Sequence, residues 1–80
     1  MTLPNAVLEF INNRAIEANV APPNANDDLF RMGVLDSFSL VDLMTLLEEG
    51  CVIKVPDADV IPTNFQSLKA IENYVASRKG

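Results

Sequence analysis

Apolar residues recur along this chain at spacings of three and four, and stretches rich in Pro, Asn and Asp interrupt them. That rhythm predicts helices joined by polar connections. The first helix is expected from about Pro4 to Asn19. Val7, Leu8, Ile11 and Ala15 fall on one side, and Glu9, Asn12, Asn13 and Glu17 lie on other faces. Pro4 suits a first helical position, where a missing N–H leaves nothing unpaired, with Thr2 or Leu3 just outside. Ala21-Pro22-Pro23-Asn24 is expected to stop the helix, because proline removes a donor and biases the preceding residue away from the α region. The second helix is expected from about Ser37 to Glu49, with Leu40, Leu43, Met44 and Leu47 as a continuous stripe. Asp36 is its N-cap candidate and Gly50 its left-handed C-cap. The last helix runs from about Asn64 or Phe65 to Arg78. Leu68, Ile71 and Val75 form its core face, and Arg78 and Lys79 sit where cations favour the helix dipole.

The connections carry information too. Val20 to Asp36 is long, polar at Asn24, Asn26, Asp27 and Asp28, then apolar at Leu29, Phe30, Met32, Val34 and Leu35. Such a loop is expected to fold back on the bundle, with Gly33 supplying a backbone conformation that other residues resist. Asp27 and Asp28 read as loop and capping residues, since two carboxylates without a third ligand make no calcium site. Cys51-Val52-Ile53-Lys54-Val55-Pro56 has the β-branched composition of a strand, but no second strand exists to pair with it. It is expected to be an extended connector plugging apolar side chains into the bundle, followed by a short helical turn within Asp57–Ile61 before Pro62. The resulting fold class is all-α.

Eighty residues allow one domain, 1–80, whose core stabilises it by only a few kcal/mol, roughly. So small a bundle has little room for a deep substrate pocket. The absence of His excludes a Ser-His-Asp triad, and one Cys with no His excludes a Cys/His zinc site and an internal disulfide. A lone Cys and the absence of a secretory signal fit the reducing cytoplasm. Cys51 itself reads as a small buried filler. No stretch approaches the roughly 20 apolar residues that span a bilayer. The net charge of −5 disfavours nucleic acid and anionic membranes, and favours partners with basic patches. These features describe a monomeric, non-enzymatic protein, and the short length without long linkers points to a free-standing one.

Chemistry concentrates in Gly33-Val34-Leu35-Asp36-Ser37-Phe38-Ser39-Leu40-Val41-Asp42-Leu43. Ser37 stands at the start of an amphipathic helix, after an acidic cap and before the apolar stripe, so its side chain is expected in solvent. A phosphodiester there would meet the positive end of the helix dipole and unpaired N–H groups. Ser39 is expected to face solvent as well. Taken alone, an Asp-Ser pair at a helix start is ordinary capping; the surroundings make it specific.

Those surroundings resemble the acyl carrier protein and peptidyl carrier protein family. The resemblance rests on the loop Asp28-Leu29-Phe30-Arg31-Met32-Gly33-Val34-Leu35-Asp36-Ser37 and the helix Leu40-Val41-Asp42-Leu43-Met44-Thr45-Leu46-Leu47-Glu48-Glu49. It continues through the connector Ile53-Lys54-Val55-Pro56 and the final helix start Phe65-Gln66-Ser67-Leu68-Lys69-Ala70-Ile71. It implies a four-helix bundle of the acyl carrier protein type with a long first loop and a short third helix. It implies that Ser37 receives a covalent 4'-phosphopantetheine arm from coenzyme A through a magnesium-using phosphopantetheinyl transferase, which Asp36 helps to dock. The second helix would be the partner surface, with Asp42, Glu48 and Glu49 meeting basic residues and Phe38, Val41 and Thr45 completing the contact. Its partners would be an acyl- or aminoacyl-loading ligase and a downstream synthase or transferase. The chain departs from the family pattern at Phe38, where Leu or Met is usual, and at Leu35, which is closer to peptidyl and D-alanyl carriers. Between residues 38 and 47 the only acid is Asp42, fewer than in a fatty-acid carrier. The cargo therefore stays open between fatty acyl, polyketide and amino acid. An apolar cargo could tuck near Leu43, Met44, Leu47 and Ile61, but those residues read first as plain core. The alternative from another class is an unmodified acidic helical protein-interaction module.

Overall fold

In the computed structural model, which describes residues 3–79, four helices and a 3₁₀ turn follow one another with no strand among the described residues. Helix α1 spans Asn5–Glu17, α2 Ser37–Cys51, α3 Pro62–Phe65 and α4 Leu68–Lys79, and the 3₁₀ turn covers Asp57–Asp59. Helix α1 packs on α2 and α3 on α4. The stripes read from the sequence meet in one core: Val7, Ile11 and Ala15 from α1; Leu40, Leu43, Met44 and Leu47 from α2; Ile71 and Val75 from α4. Phe65, fully buried on the short α3, fills the space between them. This is the all-α, four-helix arrangement with a long first loop and a short third helix.

The helix ends differ from expectation in instructive ways. Pro4 is the cap of α1 rather than its first residue, and Thr2 lies outside the described residues. The prolines do not stop α1. Asn19 does, at φ 61°: its N–H donates to the Ile16 carbonyl and the Val20 N–H to the Ala15 carbonyl, at 3.0 Å each. That pair of bonds is a Schellman closure, and asparagine is among the few non-glycine residues that tolerate the left-handed region it needs. Gly50 is not the cap of α2 either. The helix continues through Cys51 and ends at Val52, with φ 55° and ψ 51°. Gly50 serves packing instead, since a Cβ there would come within 3.0 Å of Pro4 Cγ. Cys51 is the buried filler expected of it.

The loop 20–36 does fold back. Leu29, Val34 and Leu35 are buried, and the Leu29 carbonyl accepts from the N–H groups of both Val34 (2.9 Å) and Leu35 (3.1 Å). Gly33 takes φ 80° in the turn between them. Asp28 Oδ1 accepts from the Phe30 and Arg31 N–H groups, and Asp27 Oδ2 from that of Asn24, so both carboxylates organise the loop. Two backbone bonds pin the loop to the far end of the chain: the Leu29 N–H to the Gln66 carbonyl at 2.7 Å, and the Lys69 N–H to the Ala25 carbonyl at 2.9 Å.

One continuous last helix was expected; the chain forms two. Pro62 occupies the first turn of α3, the helix breaks at Gln66–Ser67, and Ser67 Oγ accepts from the Ala70 N–H at 3.0 Å to cap α4. The connector is extended as expected, with Ile53 and Val55 half-buried, but Val52 points to solvent. Arg78 Nε donates to the Lys54 carbonyl and ties the end of α4 to it. Tyr74 packs edge-on against Phe65, with ring centroids 5.0 Å apart, and its hydroxyl donates to Asp59 Oδ2 at 2.8 Å. Burial and that carboxylate push the phenol up to about 12, so it remains a donor through the neutral range.

Val52 is β-branched, 88% exposed and left-handed, so its side chain contributes strain without packing. Val52→Gly should therefore raise the unfolding free energy by about 1 kcal/mol, the steric relief exceeding glycine's entropic penalty. Urea denaturation of both proteins measures the difference; a less stable glycine variant contradicts the account.

Candidate functional site

The site begins with the way α2 starts. Asp36 is extended (φ −146°, ψ −173°) and turns its carboxylate onto the first turn of the helix. Its Oδ1 accepts from the Phe38 N–H at 3.0 Å, the Ser39 N–H at 2.8 Å and the Ser39 hydroxyl at 2.9 Å. In return, Ser39 Oγ accepts from the Asp36 N–H at 2.8 Å. This reciprocal capping box satisfies donors that a helix start otherwise leaves orphaned. It also corrects the expectation for Ser39. That residue is 5% exposed, not solvent-facing, because its hydroxyl is drawn inward to complete the cap.

Ser37 lies between these two engaged residues and is exposed. None of the cap bonds uses its hydroxyl. The Asp36 carboxylate is held below the usual aspartate range, first by the Ser39 N–H, then by the Ser39 hydroxyl, with the Phe38 N–H and the Arg14 guanidinium adding to it. Arg14 reaches from α1, with its Nη2 3.6 Å from Asp36 Oδ2. A free hydroxyl at the tip of a capped, fifteen-residue helix is reachable by a large enzyme, although the Asp36 carboxylate has already taken the Phe38 and Ser39 N–H groups expected to be unpaired there. These residues fit the attachment of an anionic phosphodiester at this position.

The other candidate residues fall together on one face. At about 100° per residue, Ser37, Glu48, Val41, Thr45, Phe38, Glu49 and Asp42 sweep an arc of about 140°, in that order. The buried residues of α2 occupy the opposite side. Phe38 is 87% and Val41 61% exposed, and Asp42, Thr45 and Glu49 are also exposed. Glu48 differs: half-buried, it accepts the Val55 N–H at 2.9 Å and so anchors the connector. Beside this face an open groove of about 440 Å³ runs between Val41, Met44, Thr45 and Glu48 on α2 and Val55, Asp57 and Val60 opposite. Of the four residues considered for an apolar cargo, Met44 lines this groove, Leu43 and Leu47 have no exposed surface, and Ile61 is 45% exposed. No cluster of potential metal ligands occurs among the described residues. No described helix is long and apolar enough to cross a membrane.

Two contributors escaped the sequence reading. Ser39 could have been found, because a side chain able to bond back three residues after an aspartate is the signature of a capping box. Arg14 carried no such signal, lying 22 residues before Asp36 in the chain.

Residues 13–75 match the family model described as the phosphopantetheine attachment site, and the chain belongs to that family of acyl and peptidyl carriers. Its cofactor is 4'-phosphopantetheine, carried covalently on a serine, and its members are generally not catalysts. Among individual proteins, the chain is similar to Aminoacyl carrier protein 2 of Bradyrhizobium diazoefficiens, at 29% identity over 76 residues that cover 95% of this chain and 81% of the relative.

Ser39→Ala should lower stability by about 1–2 kcal/mol at neutral pH, through loss of a cap and exposure of the Asp36 N–H. Because the folded carboxyl titrates below the ordinary value of about 3.9, its stabilisation is present above that pH and is lost as pH falls through the depressed value. The gap between wild type and variant should therefore narrow as urea titrations move from pH 7 toward pH 3. A constant gap would exclude the carboxylate as the group Ser39 supports.

Proposed function

We propose that residues 1–80 form one carrier domain whose Ser37 bears the phosphopantetheine arm and which shuttles an acyl or aminoacyl group, as a thioester, between partner enzymes. The observation that carries this reading is the exposed Ser37 hydroxyl, left unused at the first position of α2 while Asp36 and Ser39 complete the cap around it. The arm, once attached, supplies the thiol chemistry. The protein supplies an attachment point, a rigid helix behind it and a face for enzymes to recognise, and it needs no catalytic group of its own.

On this reading Asp36 helps to dock the phosphopantetheinyl transferase. Phe38 and Val41 give the apolar part of the partner face, and Asp42 and Glu49 its charge, with Thr45 between them. Glu48 contributes less, since one of its oxygens already holds the connector. A small, partly charged contact suits a carrier that must release each enzyme quickly. Tethering the cargo raises its effective concentration at each active site. A free buried cysteine and an acidic surface suit a monomer in the cytoplasm.

For the cargo, an amino acid is favoured over a long acyl chain. The bundle's interior is closed at Leu43 and Leu47, Leu35 stands before the Asp-Ser pair, and the relative is an aminoacyl carrier protein by name. The loading ligase would then be an aminoacyl-activating enzyme, and the consumer an acyl-transferring one.

Incubation with coenzyme A, magnesium and a broad-specificity transferase, followed by intact mass measurement, tests the attachment. Wild type should gain one arm and Ser37→Ala none, while Asp36→Asn should be modified more slowly although folded. An unmodified acidic interaction module would stay at its starting mass. Charging by the cognate ligase should then add the mass of an amino acid; a long acyl adduct would refute that cargo.

A further inference from the structure

We propose that Arg14 is a positioning residue for modification of Ser37, an inference that rests on the reading of Ser37 as the attachment site. Arg14 lies on α1, at the edge of the face that carries the buried Ile11 and Ala15. Its guanidinium reaches two points on the segment leading into α2. Nε donates to the Val34 carbonyl at 3.1 Å, and Nη2 faces Asp36 Oδ2 at 3.6 Å. Nη1 pairs with Glu17 Oε1 at 3.3 Å, one turn further along α1.

These contacts divide the work around Asp36. The three bonds that the carboxylate accepts all fall on Oδ1, which sets it relative to α2. They do not tie the start of α2 to the side chains of α1. Arg14 does that. Its two arms hold the chain on either side of the buried Leu35, so residues 34–36 are fixed against α1 immediately before Ser37. The planar fork makes this possible, since it presents separate N–H groups in a fixed relation that a lysine ammonium does not reproduce.

Arg14 therefore acts through Val34 and Asp36, on the fraction of molecules that present hydroxyl and carboxylate together. A transferase binding only that arrangement has its apparent affinity reduced in proportion to the fraction populated. Once bound, the same arrangement is selected whatever residue 14 is, so turnover is preserved.

The test compares wild type, Arg14→Gln, Arg14→Lys and Glu17→Gln as carrier substrates of a broad-specificity phosphopantetheinyl transferase, with coenzyme A and magnesium saturating. Arg14→Gln should raise the KM for carrier roughly three- to tenfold, the range of a net hydrogen bond of this kind, with kcat unchanged. Arg14→Lys should raise it in the same direction by less, and it carries the test should the glutamine variant be unfolded at the assay temperature. Glu17→Gln should match wild type. Amide hydrogen exchange on the free proteins should quicken between Val34 and Ser39 in the Arg14 variants and not elsewhere. An unchanged or lower KM in folded Arg14 variants overturns the inference. So does a raised KM with unaltered exchange, which would make Arg14 part of the docking surface itself, and so does exchange quickened throughout, which would make it merely structural. If wild type is not modified at all, the reading of Ser37 fails and this inference with it; modified wild type with indifferent Arg14 variants sinks the inference alone.

Discussion

The Asp36 Oδ1 atom is the point on which this small protein turns. One carboxylate oxygen takes two backbone N–H groups and a hydroxyl, and the same hydroxyl accepts the aspartate's own N–H. The bonds fix where α2 begins, hold the residue before it extended, and draw Ser39 into the protein. With Asp36 engaged as the cap and Ser39 drawn inward, Ser37 at the helix start is left exposed. The prominence of Ser37 is thus a by-product of how its neighbours solve the problem of a helix start.

The rest of α2 follows from the same starting angle. Rotation from Ser37 places Leu40, Leu43, Met44 and Leu47 inside, and Val41, Asp42, Thr45 and Glu49 outside. Core and exposed face are two sides of one rod, so the register that packs the bundle also decides which side chains face outward. Phe38 and Val41 stand exposed on that outer side, beside Ser37. Glu48 stands at the boundary, with its head group turned to the connector.

Much of this was legible because it is local. The apolar stripes, the Asp36 cap, the special backbone at Gly33 and the loop aspartates depend on residues a few positions apart, and the structure bears them out. The misreadings share a different cause. Gly50 looks like a helix terminator, but Pro4, 46 residues earlier, comes to lie where its side chain would be, and the helix runs on to Val52. The last helix looks continuous in sequence, but the Gln66 carbonyl is taken by Leu29 and the Lys69 N–H by Ala25, so the break at Ser67 is set by a loop forty residues away. At the site the exposed face could be read along α2 alone. Arg14 could not, since its contacts with Val34 and Asp36 depend on how α1 lies across the loop. Ser39 was missed for another reason: its polarity argued for water when a nearby buried donor needed it more.

The two backbone bonds between the first loop and the α3–α4 junction join the beginning of the molecule to its end. Leu29, whose N–H makes one of them, also supplies the carbonyl that gathers Val34 and Leu35 just ahead of Ser37. The chain is in effect a closed circuit: C-terminal helix to loop, loop to serine. Loss of α4 from its first turn would not be a peripheral edit, because the Lys69 N–H held by Ala25 would go with it and loosen the loop that leads to Ser37.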